Sequence, residues 1–413
     1  MTRLLPVALV CIAACALPAC AQSQKPTKTR AAASVDSSYG QRAEALRWAD
    51  DLAQQQGIDA AWLRQQLGQA QKLEQVRRLM TPSTGPKKTT ARSWAVYRSR
   101  FIDPVRVQAG KRFWQENAAA LERAQKTYGV PPELIVGIIG VETIYGRNMG
   151  NFRVLDALAT LAFDYPANHP RLAERVAYFQ GELAQFLTTA WSARQDPTQA
   201  LGSFAGAMGL GQFMPSSLAR FGVDFDGDGK VDLYNSTVDA IGSVANYFRG
   251  HGWQPGMAVQ YGVAFNPNGT DMATLLAPDI KPSFTADQML QLGAIPLDGG
   301  MRHQGPLALV ELLNGEDAPT YVIGTQNFYA ITRYNMSSYY AMAVHDLGQE
   351  VAAAVQEASL AQAAAQTARA ATAPAATPTT AAAPATAPLP RSAARSRRGR
   401  RPGSTCRCRS RRR

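Results

Sequence analysis

The stretch GIIGVETIYGR, Gly137–Arg147, decides how the rest of the chain is read, because it sets a carboxylate, Glu142, in a run otherwise made of apolar residues and glycine. Ile139, Ile138 and Ile135 lie three, four and seven residues before it, so on a helix they share its face. Glu142 therefore points where the isoleucines point. Two readings stay open: a surface acid at the helix rim or in a salt bridge to Arg147, or a carboxylate held among apolar side chains because it is put to use. Carboxylates are rarely buried without a partner or a function. The longer segment PPELIVGIIGVETIYG opens with Pro131 and Pro132, where a missing N–H costs a helix least.

Outward from this segment, residues 41 to about 250 read as helices. QRAEALRWADDLAQQQG, DAAWLRQQLGQA and KLEQVRRLM are short and end at glycine or proline signals; RFWQENAAALERAQKTYG, VLDALATLAFDYP, RLAERVAYFQGELAQFLTTAWSA and TVDAIGSVANYFRGHGW continue the pattern. From about 256 to 330 the character changes. GMAVQYGVAF, PTYVIGT and FYAITRYN carry β-branched and aromatic residues between turn signals, which predicts a small sheet inserted into a helical body. SSYYAMAVHDLGQEVAAAVQEA returns to helix. Residues 356–413 are Ala/Thr/Pro-rich and then Arg-rich, a composition that builds no core and predicts disorder.

Charge and cysteine usage exclude several functions. The net charge of +12 is concentrated in the tail, where eleven arginines lie between Arg391 and Arg413, so the remainder is nearly neutral. No basic stripe interleaved with aromatics precedes it, and nucleic acid is not an expected partner. Cysteines stand only at positions 11, 15, 20, 406 and 408, which removes disulfides, thiolate metal sites and cysteine nucleophiles from the globular part. The four histidines, His169, His251, His303 and His345, lack metal-ligand spacing.

Residues 1–20 combine a positive residue, a short apolar stretch and small residues before Cys20, the pattern of an export signal. Leu17-Pro18-Ala19-Cys20 resembles a bacterial lipobox, with Cys20 as the lipid acceptor. Pro18 departs from the commonest form, and secretion with cleavage nearby is the alternative. Ala21 after the cysteine favours sorting to the outer membrane by analogy with lipoproteins. Residues 21–40 are polar and read as a tether.

The stretch GSFAGAMGLGQFMPSS, Gly202–Ser217, is the second constellation. Its glycines permit close approach of backbone to a ligand, and Ser203 and Gln212 offer hydrogen bonds. It lacks the order of a nucleotide-binding loop, and the chain has no G-x-S-x-G elbow. A helix ending in E-T-x-x-G-R, followed some sixty residues on by G-A-M-G-x-G-Q-F-M-P-S, resembles the lytic transglycosylase family of membrane-bound lytic murein transglycosylase B. SWAVYRSRFI, RVLDALATLAFDYP, YFQGEL, DAIGSVANYFRGHGW and TRYNMSSYYAMAV extend the match over about residues 41 to 350.

The resemblance implies a mainly α, lysozyme-like catalytic domain over residues 41–355 that cleaves the β-1,4 bond between N-acetylmuramic acid and N-acetylglucosamine in peptidoglycan, with no catalytic cofactor. Glu142 falls on the family's single catalytic acid. Tyr97, Ser203, Gln212, Tyr247, Tyr334, Asn335 and Tyr340 fall on positions that contact substrate. Arg175 matches such a position only loosely, because YPANHPRLAERVAYF is longer than the family's usual segment. The expected partners are glycan strands and a membrane reached through the lipid anchor, with the protein acting as a monomer in the periplasm. A muramidase using water on the same fold and a non-catalytic wall-binding lipoprotein are the rival readings.

DFDGDGKVDLYN, Asp224–Asn235, starts as an EF-hand loop starts: Asp224, Asp226 and Asp228 alternate, Gly229 makes the turn and Lys230 would offer its carbonyl. Asn235 replaces the usual closing glutamate, and Asp239 is the candidate to close a lengthened loop, as the family suggests. Structural Ca²⁺ is the expected ion. An Asp-Gly turn without metal is the alternative.

Overall fold

The computed structural model describes residues 38–82 and 92–372. The lipobox cysteine Cys20, the signal segment, most of the tether and the Arg-rich end lie outside the described residues. The chain divides after Gln362 into a main body and a second unit, of which the helical residues 363–372 are described.

The main body is mainly α, as expected, and is built on three apolar clusters. The first surrounds the helix Pro132–Thr143, whose Ile135, Ile138 and Ile139 are fully buried. Each such side chain contributes about 1.5–3 kcal/mol. Gly137 lets this helix lie directly on the long C-terminal helix Ser338–Thr372, because a Cβ there would stand 2.3 Å from the Val344 carbonyl oxygen. That close contact brings the first turn of one helix to the last turn of the other.

The second cluster joins the N-terminal helices Ala43–Gln56 and Ala60–Gln69 to Val154–Phe163 and Leu172–Ser192. The third lies under the inserted sheet, where strand Asp317–Gly324 runs antiparallel between Gln260–Tyr261 and Ala308–Asn314. A separate ladder pairs Val263–Phe265 with Ala294–Pro296. These strands fall where the β-rich segment was expected.

Two features differ from expectation. A two-residue ladder, Phe152–Arg153 with Leu201–Gly202, forms outside the expected β region and ties the chain after Glu142 to the start of the glycine-rich stretch. It is too short to carry an alternating pattern. The last helix also continues to Thr372, beyond the expected domain end at residue 355. Its added turns are rich in alanine and glutamine, which form helix at low entropic cost even where no core is available.

Candidate active site

Glu142 stands in the last turn of Pro132–Thr143, half-buried, with its Oε1 accepting a 2.5 Å hydrogen bond from the Tyr340 hydroxyl. Burial pushes its pKa from 4.5 to about 7, against the lowering effect of that bond. A carboxyl poised there can both give and take a proton near neutral pH. Arg147 is exposed, and among the described residues no ion pair joins it to Glu142. Of the two open readings of the sequence, the structure shows the carboxylate held in the protein.

The backbone after Glu142 is strained. Ile144 and Tyr145 have φ of 52° and 56°, a left-handed conformation that costs a residue with a side chain about 1–2 kcal/mol. Packing holds it: the Tyr145 ring lies 5.2 Å from Phe113. Thr143, fully buried, accepts a bond from the Gly146 amide at 3.0 Å and sets its hydroxyl 2.9 Å from the Leu210 carbonyl oxygen. Arg106, also buried, donates to the Gly140 carbonyl at 3.1 Å and brings positive charge to the helix's C-terminal end. Neither role was read from the sequence. Thr143 adjoins Glu142 and could have been suspected; Arg106 carries no local signal.

The glycine-rich stretch is an ordered wall. Met208 and Phe213 exchange backbone hydrogen bonds of 2.9 and 3.0 Å, and the Leu210 amide donates to the Leu233 carbonyl at 2.8 Å. Gly209 serves this packing rather than the approach of a ligand, since a Cβ there would lie 2.5 Å from the Leu233 carbonyl oxygen and its φ is 69°. Ser203 accepts from the Ala205 and Ala207 amides at 3.3 and 3.0 Å. Gln212, at φ 50°, donates its side-chain amide to the Met149 and Gly209 carbonyls at 3.1 and 3.0 Å. Its NH₂ group thus fastens this wall to the segment following Glu142.

Aromatic residues pack against this wall. The Tyr334 hydroxyl donates to the Gly211 carbonyl at 2.5 Å, and its ring stacks at 6.4 Å on Tyr340 and lies 4.6 Å from Tyr247. Tyr247 donates to the Arg333 carbonyl at 2.7 Å and stacks at 4.1 Å on His251, a support that sequence reading missed. Tyr97 packs beside Phe101 and Tyr339 at 5.1 and 5.6 Å; burial, then the charge of Glu142, pushes its pKa up to about 12. The Glu142 charge also contributes to raising Tyr247 and Tyr340, so these three tyrosines share its surroundings. Asn335 is half-buried next to Tyr334.

Arg175 has other neighbours. It is buried near the start of Leu172–Ser192, where its charge acts on Tyr165 and His169, whereas burial and Tyr340 set the shift of Glu142.

Of the four carboxylates expected at the acidic loop, three come together. Carboxylate oxygens of Asp224, Asp226 and Asp239 lie within 4.8 Å of one another. Asp228 is not among them; its Oδ1 turns back to accept from the Lys230 amide at 2.9 Å, and Asp228 and Lys230 are both exposed. Asp224 accepts from the Gly227, Asp228 and Gly229 amides, and the fully buried Asp239 from those of Phe225, Asp226 and Asp232. Three hard anionic oxygens on a braced loop fit a cation of the calcium type.

A carboxyl with its pKa raised to about 7, set beside a cluster of tyrosines in a helical body, fits an enzyme of the lysozyme-like class. The chain belongs to the family of the transglycosylase SLT domain, whose model matches residues 41–349, and it is a lytic transglycosylase. It is 42% identical over 360 residues to membrane-bound lytic murein transglycosylase B of Escherichia coli (strain K12), covering 82% of this chain and 95% of that one. The structure of Escherichia coli lytic transglycosylase Slt35 in complex with calcium matches with a TM-score of 0.66 at 43% identity, over 76% of this chain and 94% of that chain. SltB3 from Pseudomonas aeruginosa in complex with NAG-anhNAM-pentapeptide matches with a TM-score of 0.60 at 30% identity, over 73% and 78%.

Proposed function

We propose that this lytic transglycosylase cleaves peptidoglycan between N-acetylmuramic acid and N-acetylglucosamine with Glu142 as its single acid and base, leaving a 1,6-anhydro-N-acetylmuramic acid end. The observation that carries the assignment is the Glu142 carboxyl, buried to a pKa of about 7 and fixed by Tyr340. Protonated, it gives its proton to the leaving glycosidic oxygen. The N-acetyl oxygen of the substrate stabilises the positive charge at C1, a substrate-assisted route that needs no protein nucleophile. The Glu142 carboxylate then takes the proton of the C6 hydroxyl as that oxygen attacks C1. In support, the partner of Glu142 is a tyrosine and no second carboxylate contributes to its shift. Tyr97, Tyr247 and Tyr334 offer faces to the sugar rings, and Ser203, Asn335 and the Gln212 carbonyl oxygen offer hydrogen-bonding groups. Mass spectrometry of products from purified sacculi tests this reading: anhydro ends are expected, and reducing ends heavier by one water, about 18 Da, would replace it with a hydrolytic muramidase.

Tyr340 tunes the acid. Its hydrogen bond lowers the Glu142 pKa, so Tyr340→Phe should raise that pKa and carry the alkaline limb of kcat/KM against pH upward from about 7. A limb that stays in place would mean that another group sets it.

Ca²⁺ on Asp224, Asp226 and Asp239 is proposed as a structural ion, supported by the loop geometry and by calcium in the Slt35 complex. Attachment to the outer membrane through lipid on Cys20 is likewise proposed. No described helix is long and apolar enough to cross a membrane. Cys20→Ala should release the protein from the membrane fraction, and undiminished sedimentation with membranes would refute the anchor.

A further inference from the structure

The end of the helix Leu172–Ser192 leaves two tryptophans side by side at the surface. Trp191 is 37% exposed, and its ring lies 5.1 Å from that of Trp62, tilted by 57°. Trp62 comes from a different helix, Ala60–Gln69, and is half-buried against the second apolar cluster. With Ser192, Arg194, Gln195 and Asp196 the two rings line an open-sided cleft of about 720 Å³, a volume in the range of binding sites. A single exposed apolar side chain is ordinary; here Trp62 packs partly on the core, whereas Trp191 lies outside that cluster and sets its ring beside Trp62 at a concavity.

The polar side of the cleft is braced. Arg194 has a φ of 53°, and the turn is closed by the Arg194 amide on the Trp191 carbonyl at 3.1 Å and the Gln195 amide on the Ala190 carbonyl at 2.9 Å. The Asp196 carboxylate accepts from the Thr198 amide and hydroxyl and from the Gln199 side chain at 2.9, 2.7 and 3.0 Å. The left-handed Arg194 ends the helix in the common closure of the residue after the cap, which fixes the backbone that carries Gln195 and Asp196.

We infer that this cleft is a second glycan-binding site, separate from the Glu142 site, which holds another part of the strand being cut. Indole faces suit the C–H face of a sugar ring, and the rim of amide, guanidinium and carboxylate suits its hydroxyl, N-acetyl and acidic substituents. The occupant follows from the reaction: the substrate is a polymer, and the chain from Asp196 to Ser203 spans seven residues, at most about 25 Å. Ser203 is one of the groups offered to the sugar at the first site, and a strand several sugars long spans that distance. Holding it at the tryptophans raises its effective concentration at Glu142, which helps long strands and does nothing for short ones. The inference rests on the transglycosylase reading.

The test compares Trp191→Ala and Trp191→Phe with the parent, each also in a Glu142→Gln background. Trp191→Ala should lower retention of the Glu142→Gln protein on purified sacculi, and raise KM for sacculi, by about tenfold, the loss of one aromatic anchor. Trp191→Phe should restore most of both. Turnover of a soluble tetrasaccharide and the melting temperature should match the parent. Unchanged retention would overturn the inference, as would an equal loss on the tetrasaccharide or Trp191-dependent binding that follows residual protein after the glycan is digested away. If the parent cleaves no glycan yet its retention on sacculi depends on Trp191, the transglycosylase reading fails and the second site stands.

Discussion

Glu142→Gln is expected to fold and to lose at least about 10³-fold in kcat on sacculi, because one group serves as acid in the first step and base in the second. The amide keeps the shape and can accept the Tyr340 hydrogen bond, but it has no proton to transfer. Stability gives an independent readout. The carboxyl has a folded pKa of about 7 against 4.5 when unfolded. Its contribution to stability is therefore fully present below pH 4.5 and is lost as pH rises through 7. Above that, the charge in its buried site costs of order 1–3 kcal/mol. The variant should melt with the parent near pH 4 and above it at pH 8. Substantial turnover by Glu142→Gln would remove the acid from the mechanism, and parallel melting curves across pH would show that the carboxyl is not destabilised by burial.

Calcium at 100 times its dissociation constant is expected to stabilise the fold by about 2.7 kcal/mol over chelator, or about 5 °C in Tm, because an ion bound only by the folded loop shifts the equilibrium. Two substitutions separate the metal from the loop's own bonding. Asp226 is exposed, so Asp226→Ala should abolish the calcium response with little loss in chelator. Asp239 is fully buried and satisfies three backbone amides at 2.7, 3.1 and 2.9 Å. Asp239→Ala should lose about 2–3 kcal/mol or more even in chelator, since those donors would be left without acceptors. A Tm that does not respond to calcium would dispose of the ion and leave an Asx-braced turn.

The local parts of this protein were legible because they depend on near neighbours in sequence. The spacing of Ile135, Ile138 and Ile139 placed Glu142 on an apolar face, Pro131 and Pro132 marked the start of its helix, and the Asp224–Gly229 alternation announced an oxygen-rich loop. The ordered motifs from Glu142 to Tyr340 carried the family. The place of Arg175 beside Tyr165 and His169 was not legible where the segment before it departs from the family's length, nor was the place of Asp228 outside the carboxylate group, because alternation along a chain does not say which carboxylates converge.

What the sequence alone determined is therefore the chemistry available: one acid, a set of tyrosines, an acidic loop and no cysteine in the domain. Only the tertiary structure decided how these meet. Tyr340 reaches Glu142 across 198 positions because Gly137 admits the backbone of the last helix. Gln212 fastens one wall to the other through Met149, and Arg106 caps a helix 34 residues away. The physical reason is that a pKa, a strained turn or a cleft is set by everything within a few ångströms, and the chain brings distant residues to that range only when its cores close.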